Sequence, residues 1–311
     1  MRIGITGGSG FIGSLLVQRH LDLGNEVHLL SRKTGNSLEN VHLHKGNLLD
    51  VNSLNSFVKD IDVLYHCAAE IRDESKMQSL HIEGTKNLIK VASGKIKHWV
   101  QLSSVGVYGP VYEGIIKESQ VYNPINIYEK TKLESDLLVL ESSRNKHFTS
   151  TIIRPSNVFG VNMNNQSLYE LVKTVDKGLY FFIGKKGASA NYVPVKNVVE
   201  SLCLAATNLK AVNQIYNISS WCTMEDFIKL ISFHLKKPMP KYRIPIKPIV
   251  FVAKITSFIP KNPISVARVL ALCNRSIYSI EKIENELNYK PISSFHDEIF
   301  EIVNKYNEEN E

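Results

Sequence analysis

Tyr128 and Lys132 stand four residues apart. On a helix that spacing puts both side chains on one face. An ammonium close to a phenol favours the phenolate and lowers its pKa from about 10, so the pair is suited to passing a proton. Ser104, which follows the apolar run His98–Ser103, offers a hydroxyl that can hydrogen-bond a reacting oxygen. Taken alone, Ser104 reads as a strand-end hydroxyl with a turn role. Three other pairs share the Tyr–Lys spacing: Tyr169/Lys173, Tyr192/Lys196 and Tyr278/Lys282. Position favours Tyr128, which opens a long helical pattern between two strand patterns.

A second chemical signal sits at the other end of the chain, in Thr6-Gly7-Gly8-Ser9-Gly10-Phe11-Ile12-Gly13. Gly8, Gly10 and Gly13 satisfy GxGxxG, and Gly7, Gly10 and Gly13 satisfy GxxGxxG. Between a strand and a helix, either pattern gives a tight turn and lets a pyrophosphate approach the backbone closely. The free N–H groups of the helix start then face the phosphates. At the end of the second strand an acidic residue would hold the ribose hydroxyls of NAD. The chain has Leu30-Ser31-Arg32-Lys33 there. Arg32 and Lys33 can neutralise a 2′-phosphate and Ser31 can bond it, so NADP is expected, with NAD left open. The alternative is an exposed charged loop.

The elements that must position these groups follow from the patterning. Arg2–Thr6, Glu26–Leu30, Val41–His44, Asp62–His66, His98–Ser103 and Thr149–Arg154 read as strands. Phe11–Leu23, Glu83–Ala92 and Ile127–Ser143 read as helices between them. This alternation predicts an α/β protein, a Rossmann-type doubly wound parallel sheet. After Asn162-Met163-Asn164-Asn165 the texture changes to a helix over Ser167–Lys177, short strands at Tyr180–Ile183, Asn191–Val195 and Gln214–Ser219, and further helices. Residues 1–160 are therefore expected to form the dinucleotide-binding domain. Residues 161–311 are expected to form mainly a smaller substrate lobe, with some later segments free to return to the sheet.

Composition narrows the classes. A hydrophobic fraction of 43% and a charged fraction of 22% over 311 residues describe a globular chain with room for a sizeable core. Four scattered cysteines without a CxxC argue against a disulfide scaffold and suit a cytoplasmic protein. The net charge of +7 comes without a run of lysines and arginines, which gives nucleic acid no support. The apolar run Ile249–Ile259, with Lys254 inside it, would span roughly 16 Å as a helix, short of the ~30 Å bilayer core. It reads as a core or lobe-interface helix without a membrane span. Flanking Lys241, Arg243, Lys247 and Lys261 keep an interfacial helix as the minority reading. His42 and His44 share a strand face, but no cysteine or third histidine lies at a ligand spacing in the sequence, so no metal is expected.

Taken in order along the chain, these segments resemble the NAD(P)-dependent epimerase/dehydratase family, the extended branch of the short-chain dehydrogenase/reductase superfamily. Carrying the resemblance are the glycine segment, Tyr65-His66-Cys67-Ala68-Ala69, Gly84-Thr85-Lys86-Asn87, Ser103-Ser104-Val105-Gly106-Val107-Tyr108-Gly109, Tyr128 with Lys132, and Arg154-Pro155-Ser156-Asn157-Val158-Phe159-Gly160. Tyr192–Val198 and Leu287–Pro291 echo it more weakly. The resemblance implies a catalytic trio of Ser104, Tyr128 and Lys132. It implies Gly7, Gly10, Phe11, Ile12 and Gly13 on the pyrophosphate and Ser31 and Arg32 at the adenosine ribose. Asn47 and Leu48 would lie by the adenine, Ala68 and Ala69 along the cofactor, and Asn157 near a substrate diphosphate. The chain departs from the family pattern at Asn47, His81, Pro194, Asn197 and Ser31-Arg32. Val105 and Gly106 stand where dehydratases carry an Asp-Glu pair, so water elimination is not expected. The implied activity is hydride transfer on a nucleotide sugar, most directly a 4-keto sugar reductase. The alternatives are a nucleotide-sugar 4-epimerase, a hydroxysteroid- or flavonol-type reductase and, remotely, a non-catalytic dinucleotide-binding protein. A homodimer is left open.

Overall fold

The computed structural model describes residues 1–33, 39–163, 167–255 and 266–310. Asn164 and Asn165 of the expected loop, residues 256–259 of the apolar run and Lys261 lie outside the described residues. The strands are β1 (Arg2–Thr6), β2 (Glu26–Ser31), β3 (Val41–Lys45), β4 (Val63–His66), β5 (His98–Leu102), β6 (Glu113–Ile116) and β7 (Thr149–Pro155). They continue as β8 (Asn157–Phe159), β9 (Phe182–Ile183), β10 (Ser189–Pro194), β11 (Gln214–Ile218), β12 (Ser220–Thr223), β13 (Arg243–Ile244) and β14 (Arg275–Tyr278). The helices are α1 (Phe11–Asp22), α2 (Val51–Leu54), α3 (Glu74–Gln78), α4 (Gly84–Ala92), α5 (Ile127–Arg144), α6 (Ser167–Asp176) and α7 (Val195–Thr207). Then come α8 (Met224–His234), α9 (Ile246–Ile255), α10 (Val266–Leu272), α11 (Glu281–Leu287) and α12 (Phe295–Asn310).

Seven strands form one sheet in the order β11-β7-β5-β4-β1-β2-β3, every pair parallel. Parallel strands need crossovers and both faces covered, which their near-continuous apolar runs supply. On one face Ile3, Ile5, Val27, Val100 and Ile153 pack against α1 and α7 through Leu16, Val198 and Leu202. On the other, Leu64 and Trp99 meet Leu88, Val91 and Val139 of α4 and α5. The order reverses between β1 and β4, so this is a Rossmann-type doubly wound sheet with its crevice at that point. β11 and α7 come from beyond residue 160 and complete the sheet layer.

A separate core joins Phe159, Leu168, Val172, Phe227, Ile231, Ile299 and Val303, from β8, α6, α8 and α12. The short sheets β12-β10-β8, β13-β9 and β14-β6 lie outside the main sheet. The sequence patterns missed β6, β8, β12, β13 and β14, each four residues or fewer, too short for a period-2 signal. The expected helix over Glu83–Ala92 begins as α4 at Gly84, and a wider turn over Ser79–Glu83 joins it to α3.

Trp99 is fully buried, stacks on Phe148 with centroids 5.2 Å apart and donates its indole N–H to Gln101 Oε1 at 2.9 Å. Trp99→Ala is expected to cost about 3–5 kcal/mol in urea unfolding. Leu209→Ala, at an 89% exposed residue, should change stability by no more than about 0.5 kcal/mol. Equal midpoints for the two variants would contradict this packing.

Candidate active site

The parallel sheet brings the chemistry-bearing segments to one edge. The glycine segment follows β1, Ser31 ends β2, and Asn47 and Leu48 follow β3. Ala68 and Ala69 follow β4, Ser104 follows β5, and Asn157 opens β8 just beyond β7. All are at carboxyl ends of strands, where such sheets bind ligands.

Gly7 has φ +73°, a left-handed conformation that favours glycine, and a Cβ there would lie 2.7 Å from Ala68 N. A Cβ on Gly13 would lie 2.1 Å from Gly7 O. The loop therefore closes on itself and on β4, aided by a hydrogen bond from Gly10 N to Gly7 O at 2.9 Å. Gly10 caps α1 without a side-chain bond, which leaves the first helical amides to a ligand. This cradle fits a pyrophosphate. The Phe11 side chain turns away from it and packs against the Phe159 core.

Ser31 Oγ accepts from Lys33 N at 3.1 Å and donates to Lys33 O at 3.0 Å, a tight turn that leaves Arg32 exposed. Asn47 is exposed and accepts from Leu49 N at 3.1 Å, while buried Leu48 gives its carbonyl to Asn87 Nδ2 at 2.9 Å. Asn157 is exposed beside β10.

A capping box of Asn126 and Glu129 starts α5, which carries Tyr128, Lys132 and Asp136 at four-residue intervals. Ser104 caps the short turn Val105–Tyr108, its Oγ accepting from Gly106 N at 3.1 Å. Lys132 is buried and donates to the Leu102 carbonyl at the end of β5. Burial pushes its pKa down, while Asp136 and Cys67 pull it back up. Burial also pushes the Tyr128 phenol above its ordinary value, and a hydrogen bond with Ser104 pulls the other way. Spacing alone led to the expectation of a phenol lowered by Lys132, and burial works in the opposite direction. The carboxylates of Asp136 and Glu129 add to the rise that desolvation causes, and the Ser104 hydrogen bond opposes it.

His81 lies edge-on to Tyr128, with centroids 5.9 Å apart. Its Nε2 accepts from Glu70 N at 2.9 Å, so Nδ1 carries the proton toward Thr131 Oγ1 at 2.8 Å. Burial, helped by nearby Lys132, pushes its pKa down to about 4, which keeps the ring neutral. The Cys67 thiol is pushed up to about 12 by burial and is inert as a nucleophile.

Beneath these groups lies a set that the motifs did not reveal. Asp136 and Arg154 are both 0% exposed and paired at 3.0 Å. Asp136 Oδ2 also accepts from Ser103 Oγ at 2.6 Å. Arg154 Nη1 donates to Tyr108 OH at 3.2 Å and Tyr122 OH at 3.3 Å, and Tyr108 OH donates to Asn217 Oδ1 at 2.8 Å. One sequence signal for Asp136 existed: it continues the Tyr128–Lys132 face by one more turn.

A family model described as NAD dependent epimerase/dehydratase family matches residues 3–219. The chain is 26% identical to a sterol-4-alpha-carboxylate 3-dehydrogenase, decarboxylating, of Bos taurus, over 98% of this chain and 92% of the relative. It is 27% identical to the N-acetyl-alpha-D-glucosaminyl-diphospho-ditrans,octacis-undecaprenol 4-epimerase of Escherichia coli O157:H7, over 78% of this chain and 74% of the relative. The fold superimposes on a UDP-glucuronic acid 4-epimerase from Bacillus cereus in complex with NAD, at a TM-score of 0.77 and 20% identity, with 100% of both chains covered.

Removing one partner of the Asp136–Arg154 pair strands the other charge without water. Asp136→Ala is expected to cost about 3–5 kcal/mol in chemical denaturation. The double change Asp136→Leu with Arg154→Met should recover most of that loss. A single variant as stable as the parent would show that the pair is not closed off from solvent.

Proposed function

The chain belongs to the NAD dependent epimerase/dehydratase family, and on that premise we propose that it reduces a 4-keto sugar carried on a nucleotide, drawing on NADPH. The observation that carries this reading is the placement of Ser104 after β5 and of Tyr128 and Lys132 on one face of α5, at the carboxyl edge of the sheet, with burial raising the phenol above its ordinary value. Such a phenol is protonated at neutral pH and ready to donate. A bound nicotinamide dinucleotide supplies the hydride. Tyr128 gives its proton to the sugar oxygen as that oxygen gains charge, and Ser104 hydrogen-bonds the same oxygen. Lys132, fixed to the Leu102 carbonyl, stands one helical turn from Tyr128 and is shielded from bulk water. Gly7, Gly10, Phe11, Ile12 and Gly13 hold the pyrophosphate. Asn47 and Leu48 border the adenine, Ala68 and Ala69 line the cofactor, and Asn157 meets the substrate diphosphate. Exposed Arg32 and the Ser31 turn take the 2′-phosphate.

The 4-epimerase among the relatives supports a second reading, in which a retained NAD serves both half-reactions. That reaction begins by oxidising an alcohol and needs the phenolate. Lowering a phenol's pKa by ~3 units takes about 4 kcal/mol of differential stabilisation, against the direction that burial imposes on Tyr128.

Extraction of dinucleotide from the purified protein, followed by assay with 4-keto and 4-hydroxy nucleotide sugars, separates the two readings. Stoichiometric bound NAD with interconversion of two sugars and no added cofactor would overturn the reductase. Tyr128→Phe should keep dinucleotide affinity and lose roughly 10²–10⁴-fold in kcat. Because the phenol titrates above its ordinary value, the reduction rate should hold level through neutral pH and fall only in strong alkali. A rate that rises with pH through neutrality would instead indicate a phenolate base.

Arg32→Asp should weaken NADPH by tenfold to a hundredfold, from the loss of a charge-assisted contact of about 1.5–3 kcal/mol. Calorimetric titration with NADPH and NADH checks this. Equal affinities in the parent would remove the preference.

A further inference from the structure

We propose that Glu26, His28 and His42 form a binding site for a divalent transition-metal ion of the zinc class, on the outer strands of the sheet and apart from the glycine loop. The histidines expected from sequence to lack a third partner acquire one through strand pairing. β2 and β3 run parallel with His28 opposite His42, and Glu26 and His44 fall on the same sheet face by the two-residue period. The His28 and His42 rings are stacked, centroids 4.8 Å apart. A single carboxylate oxygen, Glu26 Oε1, lies 2.9 Å from His28 Nε2 and 3.1 Å from His42 Nε2. All three ligand atoms lie within 4.8 Å of one another.

The donor set suits such an ion. Two imidazoles and one carboxylate match zinc, nickel and copper far better than magnesium or calcium, which take oxygen ligands. Zinc bonds of about 2.1 Å in a tetrahedron put ligand atoms about 3.4 Å apart. The carboxylate contacts must widen by a few tenths of an ångström to reach that. Glu26 supplies the negative charge, and Arg2 is paired with Asp60 at 3.8 Å. The fourth position opens to solvent beside His42, which is 55% exposed.

His44 supplies the outer support. Its Nε2 is 2.9 Å from His28 Nδ1, and its ring rests edge-on against Phe57 at 5.9 Å. With metal on His28 Nε2, His28 Nδ1 carries the proton and donates it to His44, which fixes the ring's orientation. Binding thus exchanges two N–H donations to Glu26 for metal bonds. The ion then ties the edge strand β3 to β2.

The test uses the full chain without a histidine tag, stripped by chelator and then titrated with Zn²⁺ by calorimetry and Co²⁺ by visible absorbance. One ion per chain at micromolar affinity or tighter, with intense tetrahedral Co²⁺ bands, is expected, and Zn²⁺ should raise the Tm. His42→Ala and Glu26→Ala, at partly exposed positions, should lose at least tenfold in affinity and the Tm rise, with circular dichroism unchanged. His44→Gln should lose roughly 10–100-fold. His296→Ala, in the separate pair of His234 and His296 with centroids 4.8 Å apart, should bind as the parent does. No saturable binding by the parent would overturn the proposal. So would a His42→Ala protein that binds as tightly as the parent, because the ion would then sit elsewhere.

Discussion

The fully buried pair of Asp136 and Arg154 is the constraint on which the surrounding structure depends. Two charges without water are tolerable only where each keeps its partners and the geometry is fixed. Asp136 belongs to α5 and Arg154 to β7. Ser103 from the end of β5, Tyr108 from the following turn, Tyr122 before α5 and Asn217 of β11 complete the network. The Arg154 guanidinium carbon also lies 5.3 Å from the centre of the Tyr108 ring and 4.8 Å from that of Tyr122. Asp136 Oδ1 and Asn217 Nδ2 are already buried without a partner, so movement of any one element would break a bond that the buried pair still has. The rotation of α5, and so the direction of Tyr128 and Lys132, is set from below.

A second polar chain fixes the other side of the crevice. Thr6 Oγ1, at the end of β1, lies 2.7 Å from His66 Nδ1, and His66 Nε2 lies 3.1 Å from Thr85 Oγ1. Thr85 is 3.0 Å from Ser135 Oγ, which accepts from Gln101 Nε2 at 3.0 Å. This chain runs from the glycine strand through α4 to α5. Burial pushes His66 down to about 3, so the chain stays neutral and adds no field to the crevice. Lys132 and the pair beneath it are buried charged residues close to Tyr128, and Glu129 flanks it in the first turn of α5. Ser104, Tyr128 and a buried lysine gathered at one point suit a reaction in which negative charge grows on a single oxygen.

The sheet was legible in the sequence because its strands are short, mostly apolar runs and helical patterns lie between them. The glycine segment was legible because few residue types survive a left-handed φ and a 2.1 Å approach, as at Gly7 and Gly13. Tyr128 could be chosen from four equivalent spacings only by its place in the order of elements. Its proton affinity could not be read, because desolvation depends on what packs around the ring. The Asp136–Arg154 network was hidden for a related reason. Its members are scattered over about a hundred residues, and charged residues in a helix and a strand end read as surface until tertiary contacts bury them. His28 and His42 lie on different strands, so only the parallel register reveals that they are neighbours.

Phe11 has two allegiances: its amide belongs to the opening of α1, and its ring belongs to the core of α6, α8 and α12. The Gly160 Cβ position lies 3.2 Å from the Phe11 ring, so the fit is close. β11 similarly closes the first sheet with residues from the later half. Each half therefore lacks a piece until the other is present. During synthesis the nascent first half emerges without its edge strand, and the later helices close their core only on a residue made near the start. Such distant contacts carry a large loop-closure entropy and slow the search. The chain is thus expected to fold as one late, cooperative event rather than as two successive domains.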